Sequence, residues 1–198
     1  MIQLRRTDLF KVKSRSVDID FELKDGINLL LGKNGIGKSS FMRFAKENTD
    51  LFKPYKIAFM DQFPLKPITN LRGEDILQIL KEEIPLFNEG LLNQLVEDFN
   101  FKSLLSKEVN LLSGGENQIL KFILLFCQSA DVYALDEPLQ YLDGENLNKI
   151  LKYILDISNE KVLLIIEHKR DIFKDLRCHE ILMEELEHRI VIGERFGI

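Results

Sequence analysis

Residues 17–23, Val17-Asp18-Ile19-Asp20-Phe21-Glu22-Leu23, alternate apolar and polar side chains, the period of a strand with one dry and one wet face. A denser block, Ile27-Asn28-Leu29-Leu30-Leu31, reads as a buried strand, and Asp25-Gly26 reads as a hairpin-type turn leading into it. Blocks at 56–61, 132–135 and 161–166 predict further buried strands, and 180–192 predicts two closing ones. Between them the period lengthens. Residues 38–48 put Phe41, Met42 and Ala45 on one helical face, and 73–83, 88–100, 115–129 and 144–158 predict further helices. Shorter helical pieces are expected near 101–106 and before the closing strands. Alternating strand and helix, with apolar strands, predicts an α/β fold whose mainly parallel sheet is covered on both faces. The helical block 63–110, punctuated by Pro85, interrupts that alternation and reads as an inserted helical subdomain. Residues 1–62 and 111–198 then form the core of a single domain spanning 1–198.

Composition narrows the class without choosing a function. The 198 residues suffice for one well-buried domain. Apolar residues at 45% and charged residues at 30% describe an ordinary globular chain. With a net charge of −5 and no long basic block, no nucleic-acid partner is expected. The longest apolar run, 122–127, has six residues, against the roughly 18–20 that cross a bilayer. The start, Met1-Ile2-Gln3-Leu4-Arg5-Arg6, lacks the apolar core of a signal peptide. Cys127 and Cys178 have no metal-like spacing, and two isolated thiols fit a reducing, cytoplasmic setting.

Three short segments carry the candidate chemistry. Gly32-Lys33-Asn34-Gly35-Ile36-Gly37-Lys38-Ser39 sits between a predicted strand and a predicted helix, the context of a phosphate loop. Its glycines let backbone N–H groups turn inward around phosphates, and the helix N-terminus adds partial positive charge. Asn34, Gly35, Ile36, Gly37 and Ser40 would line the nucleotide phosphates. Lys38 would reach the β- and γ-phosphates, and the Ser39 hydroxyl would ligate Mg²⁺. In the second segment, Val132-Tyr133-Ala134-Leu135-Asp136-Glu137-Pro138, two carboxylates end a buried strand. Such an aspartate can hold the Mg²⁺ shell, and the adjacent glutamate can orient and deprotonate an attacking water. The third segment, Leu112-Ser113-Gly114-Gly115-Glu116-Asn117-Gln118, opens the most apolar of the predicted helices.

In this order, and over nearly the whole chain, these segments resemble the nucleotide-binding domain of ATP-binding-cassette (ABC) proteins. Gln62 ending a strand, Leu142-Asp143, and His168 ending another strand 31 residues after Glu137 complete the set. The resemblance implies a P-loop NTPase fold that binds ATP with Mg²⁺ and hydrolyses it in a head-to-tail dimer. Ser113, Gly114, Gly115 and Asp143 of one subunit would contact the ATP, or the chain, of the other. Gln62 would touch Mg²⁺ and sense the γ-phosphate, alongside Ser39 and Asp136. His168 would hydrogen-bond the γ-phosphate and the attacking water, with Glu137 as base. Phe10 lies 22 residues before Gly32, where the family carries a tyrosine that stacks on adenine; the alternative is that Phe10 is core. The chain also departs from the family. Glu116 replaces a glutamine, Ile119 an arginine, and Gln140-Tyr141 precede Leu142-Asp143 where small residues are usual. Only 24 positions separate Lys38 from Gln62, which implies a reduced antiparallel β-subdomain, a thin adenine pocket and weak base selectivity.

The resemblance favours the ATPase subunit of a transporter, paired as a homo- or heterodimer and peripheral on the inner membrane face through a separate transmembrane permease. Apolar Phe63, Leu65, Ile68 and Leu71 in the segment after Gln62 suggest where that partner would dock, unless they only pack the insertion onto the core. The alternative is a soluble non-transport ABC ATPase of cofactor assembly, repair or translation. Repair members carry a long coiled-coil insertion, absent here, and translation members usually carry two cassettes. A cassette that binds ATP without turnover is disfavoured, because Lys38, Ser39, Gln62, Asp136, Glu137 and His168 are all present.

Overall fold

The computed structural model describes residues 2–12, 15–60, 70–83, 87–142, 144–168, 170–186 and 189–194. Its strands are β1 (Ile2–Val12), β2 (Arg15–Leu23), β3 (Gly26–Gly32), β4 (Ile57–Met60), β5 (Val132–Asp136), β6 (Val162–Ile166), β7 (Cys178–Leu186) and β8 (Arg189–Glu194). They join in one sheet of order β1-β2-β8-β7-β3-β6-β5-β4. From β7 to β4 every pairing is parallel. The antiparallel part amounts to two hairpins, β1–β2 and β7–β8, which are joined side by side through a parallel β2–β8 pairing.

The apolar blocks are dense because the central strands are covered on both sides. Successive side chains of a strand point to opposite faces. Leu29, Leu31, Tyr133, Leu135, Leu163 and Ile165 enter one core cluster, while Leu30, Val132, Ala134, Leu164 and Ile166 enter the other. Asn28 is the polar interruption in β3, and it is fully buried. Its amide donates to the carbonyls of Lys24, Gly26 and Leu163, and its carbonyl accepts from Lys24 N–H. A buried amide so satisfied ties β3 to its preceding turn and to β6.

Helix α1 (Lys38–Glu47) follows β3 and buries Phe41, Met42 and Ala45 in the second cluster. On the opposite face lie α2 (Gly73–Glu83), α3 (Glu89–Asp98), α4 (Gly114–Phe126) and α5 (Gly144–Ser158), whose buried hydrophobic side chains belong to the first cluster. Every residue of α4 from Asn117 to Phe126 is buried, because α4 packs against β4 on one side and against α2 and α3 on another. A helix so enclosed has little use for an amphipathic pattern. Of the apolar residues expected to meet a partner, Phe63, Leu65 and Ile68 lie outside the described residues, and Leu71 packs against the core. Among the described residues, no helix is long and apolar enough to cross a membrane.

Two expectations need correction. Strand β1 is absent from the sequence reading, and the turn at Asp25-Gly26 does not close a hairpin. β2 pairs with β1 and β8, whereas β3 pairs with β6 and β7. Both errors have one cause. The β1–β2 register shifts between Arg6 and Phe10, and such a bulge breaks the period-2 pattern that would have shown β1 as the partner.

Candidate functional site

The parallel strands deliver their C-terminal ends to one edge, where ligands of open α/β sheets bind. The loop between β3 and α1 turns there. Gly37 caps α1 with a φ of +119° and no side-chain cap, and no acidic residue stands in the first turn. A Cβ at Gly37 would lie 2.8 Å from Val12 Cγ1, so the loop seats directly on β1. Lys38 is buried, and its Nζ donates to the carbonyls of Gly32 at 2.9 Å and Lys33 at 3.2 Å. The ammonium is thus drawn across the loop, and with the helix N-terminus it makes this edge a positive cradle suited to an anion. Asn34, Gly35 and Ser40 are exposed, and Ile36 and Ser39 are half-buried.

Asp136 ends β5 and is buried. Glu137 follows in a left-handed conformation, φ +52°. Its N–H donates to Ile166 O at 2.8 Å, and its carbonyl accepts from Gln118 Nε2 at 2.8 Å. Its Oε1 lies 2.8 Å from Nε2 of His168. The two residues 31 apart in sequence therefore meet. Glu167 locks the arrangement: one carboxylate oxygen accepts from His168 N–H at 2.8 Å and the other from Leu139 N–H at 3.2 Å. It joins the turn after β5 to the turn after β6, and it is buried. Gln118 and Glu167 escaped the sequence reading. The signal was there: each is a polar residue in or at the end of an apolar element, where a buried partner is required.

Ser113 caps α4. Its hydroxyl accepts from Glu116 N–H at 3.3 Å, and Glu116 Oε2 accepts from Ser113 N–H at 2.7 Å. This reciprocal capping box can be closed by Glu or by Gln, which explains the departure at Glu116. The Ser113 amide holds the Glu116 carboxyl below its ordinary range, against a smaller effect of burial, and Lys107 at 3.6 Å adds to the lowering. Ser113 and Gly114 are exposed. The departure at Tyr141 also has a place. Tyr141 takes φ +62° and lays its ring beside Gly114, where a Cβ would come within 3.0 Å of Tyr141 Cγ. The signature loop and the segment after Glu137 therefore pack on one another.

A family model described as ABC transporter matches residues 17–140. The chain belongs to the ABC family. It is 30% identical over 148 residues to the Schizosaccharomyces pombe translation initiation factor rli1, a match covering 72% of this chain and 23% of that protein. It is 27% identical over 196 residues to an Archaeoglobus fulgidus protein named for an ABC transporter ATP-binding role, covering 87% of this chain and 81% of that one. A solved structure titled as the ATP-binding subunit of an ABC transporter superposes with a TM-score of 0.77 at 18% identity, over 98% of this chain and 90% of that chain. The chain thus spans about a quarter of the length of the translation factor and most of the length of the transporter-type relative.

For an ABC ATPase the metal question is whether the donor set fits. Ser39 on α1 and Asp136 on β5 offer a hydroxyl and a carboxylate from two elements that pack together. Hard oxygen donors, few in number and completed by phosphate oxygens, suit Mg²⁺. When bound, the ion would neutralise charge on the phosphates. Gln62, expected beside the metal, and Asp143, expected to contact the partner subunit, lie outside the described residues. Phe10 is half-buried with its ring parallel to Phe44, centroids 4.6 Å apart, and near Phe41 at 6.5 Å. One π-face is therefore engaged by Phe44 of α1.

Proposed function

We propose that this ABC ATPase hydrolyses Mg-ATP as one half of a head-to-tail dimer and that opening and closing of the dimer drives a separate transmembrane permease. The observation that carries the hydrolytic part is the Glu137–His168 contact at 2.8 Å. With His168 Nε2–H donating to Oε1, the Glu137 carboxylate is oriented and Oε2 is left to accept a proton. A water placed against the γ-phosphate gives that proton to Glu137 as its oxygen attacks phosphorus, and the bond to the ADP oxygen breaks. The ATP would sit on the phosphate loop of Lys38 and Ser39, capped by the partner's exposed Ser113 and Gly114 and half-buried Gly115. A two-fold dimer satisfies both sites at once. Loss of the γ-phosphate removes contacts present only in the closed state. The permease is supported by the transporter-type relative, which this chain matches over most of its length.

Glu137→Gln tests the hydrolytic role. It should retain ATP binding, lose turnover by about a hundredfold or more, and elute as a dimer on gel filtration in Mg-ATP. Hydrolysis at the wild-type rate would remove Glu137 from the role of base.

A soluble, translation-type role is the second reading, favoured by the relative that shares 30% identity and is named a translation initiation factor. The trapped Glu137→Gln dimer discriminates. Sedimentation with the membrane fraction supports the permease reading, and sedimentation with ribosomes the other.

A further inference from the structure

Beside the phosphate loop lies a cavity of about 610 Å³, within the range of roughly 300–1,000 Å³ for small-molecule sites. Asn34 and Ile36 of the loop line one side; Val12 and Arg15 from the β1–β2 hairpin, with Glu185 and Ile190 from the β7–β8 hairpin, line the others. Phe10 is not among its lining residues. The cavity and the loop share a wall, and Val12 touches both. A ligand with phosphates on the loop would therefore extend its remaining part into this space. Arg15 Nη1 and Glu185 Oε2 lie 2.6 Å apart, each side chain a little under half exposed. That pairing neutralises Arg15, and Lys33 and Glu184 add one charge of each sign to the lining, so the cavity carries no net positive charge to hold an anion. It suits an uncharged, planar, hydroxyl-bearing group.

We propose that the nucleoside of the bound nucleotide lies in this cavity with its base against the guanidinium of Arg15, held flat by Glu185, and not stacked on Phe10. The proposal rests on the phosphate-loop reading above and specifies where that site recognises its ligand. A guanidinium is planar, delocalised and weakly hydrated, and it stacks on aromatic rings. Val12 and Ile36 supply apolar contact to the base edges, and the glutamates can accept from ribose hydroxyls. Phe10 has one face against Phe44 and serves the α1 side of the core. Since every purine has a π-face, stacking on Arg15 gives nucleoside affinity with little choice between adenine and guanine.

The test separates the base from the phosphates by titrating Mg-ATP and inorganic tripolyphosphate into wild type and variants by calorimetry. Arg15→Ala should weaken Mg-ATP about tenfold, ~1.4 kcal/mol, while tripolyphosphate stays within about twofold. Arg15→Lys should behave as Arg15→Ala, because it keeps the charge and loses the plane. Phe10→Ala should leave both ligands within about twofold of wild type. Two results overturn the proposal: loss of ATP affinity in Phe10→Ala with none in Arg15→Ala, or equal weakening of ATP and tripolyphosphate in the Arg15 variants. If the wild type binds neither ligand, the phosphate-loop reading falls first and this one falls with it.

Discussion

At the scale of single residues, Glu137 and Glu167 divide the work of holding the turn after β5. Glu137 holds a left-handed backbone that costs on the order of 1 kcal/mol or more for a non-glycine residue, and such strain persists only where neighbours over-determine it. Here Ile166, Gln118 and His168 each hold one of its groups. Glu167 acts one step further out, on the N–H groups of Leu139 and His168. Glu167→Ala should lower kcat at least tenfold, and leave the KM for ATP within about threefold, because it loosens the geometry of the base without touching the phosphate loop. Glu167→Gln keeps one acceptor and should recover part of the rate. Steady-state kinetics on both variants checks this, and an unchanged kcat in Glu167→Ala would show that the two turns hold without it. Lys38 and Asp136 were legible because their motifs are local; Glu167 was not, since its partners come from separate turns.

At the scale of elements, α4 ties the signature to the end of β5. Its first turn presents Ser113, its second reaches Glu137 through Gln118, and the rest is enclosed. The capping box that starts it is charge-dependent. The carboxyl of Glu116 sits below its ordinary range, chiefly through the Ser113 N–H. A depressed carboxylic acid adds stability above its unfolded pKa, and that contribution is lost as pH falls through the folded pKa. Glu116→Gln retains the hydrogen bond without the charge. The wild type should therefore melt above Glu116→Gln at about pH 6, and the two should converge by about pH 3, within the ~1 kcal/mol such a cap is worth. Melting curves across that range measure it; a gap that does not close would mean the ionised form is not what stabilises the helix. Helices α2 and α5 follow the periodicity of their sequence residue for residue, and α4 follows it to within a few, since propensity and burial agree there.

At the scale of the whole molecule, the exposed signature loop and the phosphate loop each need a partner surface if the dimer proposal holds. Lys38→Ala and Ser113→Ala should each be inactive alone. Mixed together, they leave one composite site intact, with the unmutated phosphate loop of one chain facing the unmutated signature of the other. ATPase activity in the mixture should rise to about a quarter of wild type, the share expected when half the dimers are mixed and each has one working site. Activity no higher than that of the single variants, in a mixture that still forms dimers with ATP, would place the signature's action in its own chain. The substitutions also divide by mechanism. If Arg15 acts on the nucleoside and Lys38 on phosphates, the two lesions should separate in a tripolyphosphate titration.

The sequence by itself determined the α/β class, the two-sided burial of the central strands, the nucleotide loop, the acidic strand end and the signature. Each is encoded within a dozen neighbouring residues, where backbone geometry, periodicity and functional groups coincide. Tertiary structure decided what depends on elements distant in the chain. It paired β2 with β1 and β8 across a bulge, brought His168 onto Glu137, placed Gln118 and Glu167 behind them, and turned Phe10 toward Phe44 instead of the cavity. The physical reason is the same in every case. A hydrogen bond or a stacked ring is specified by direction and distance, and for partners this far apart in sequence those exist only once the sheet has assembled.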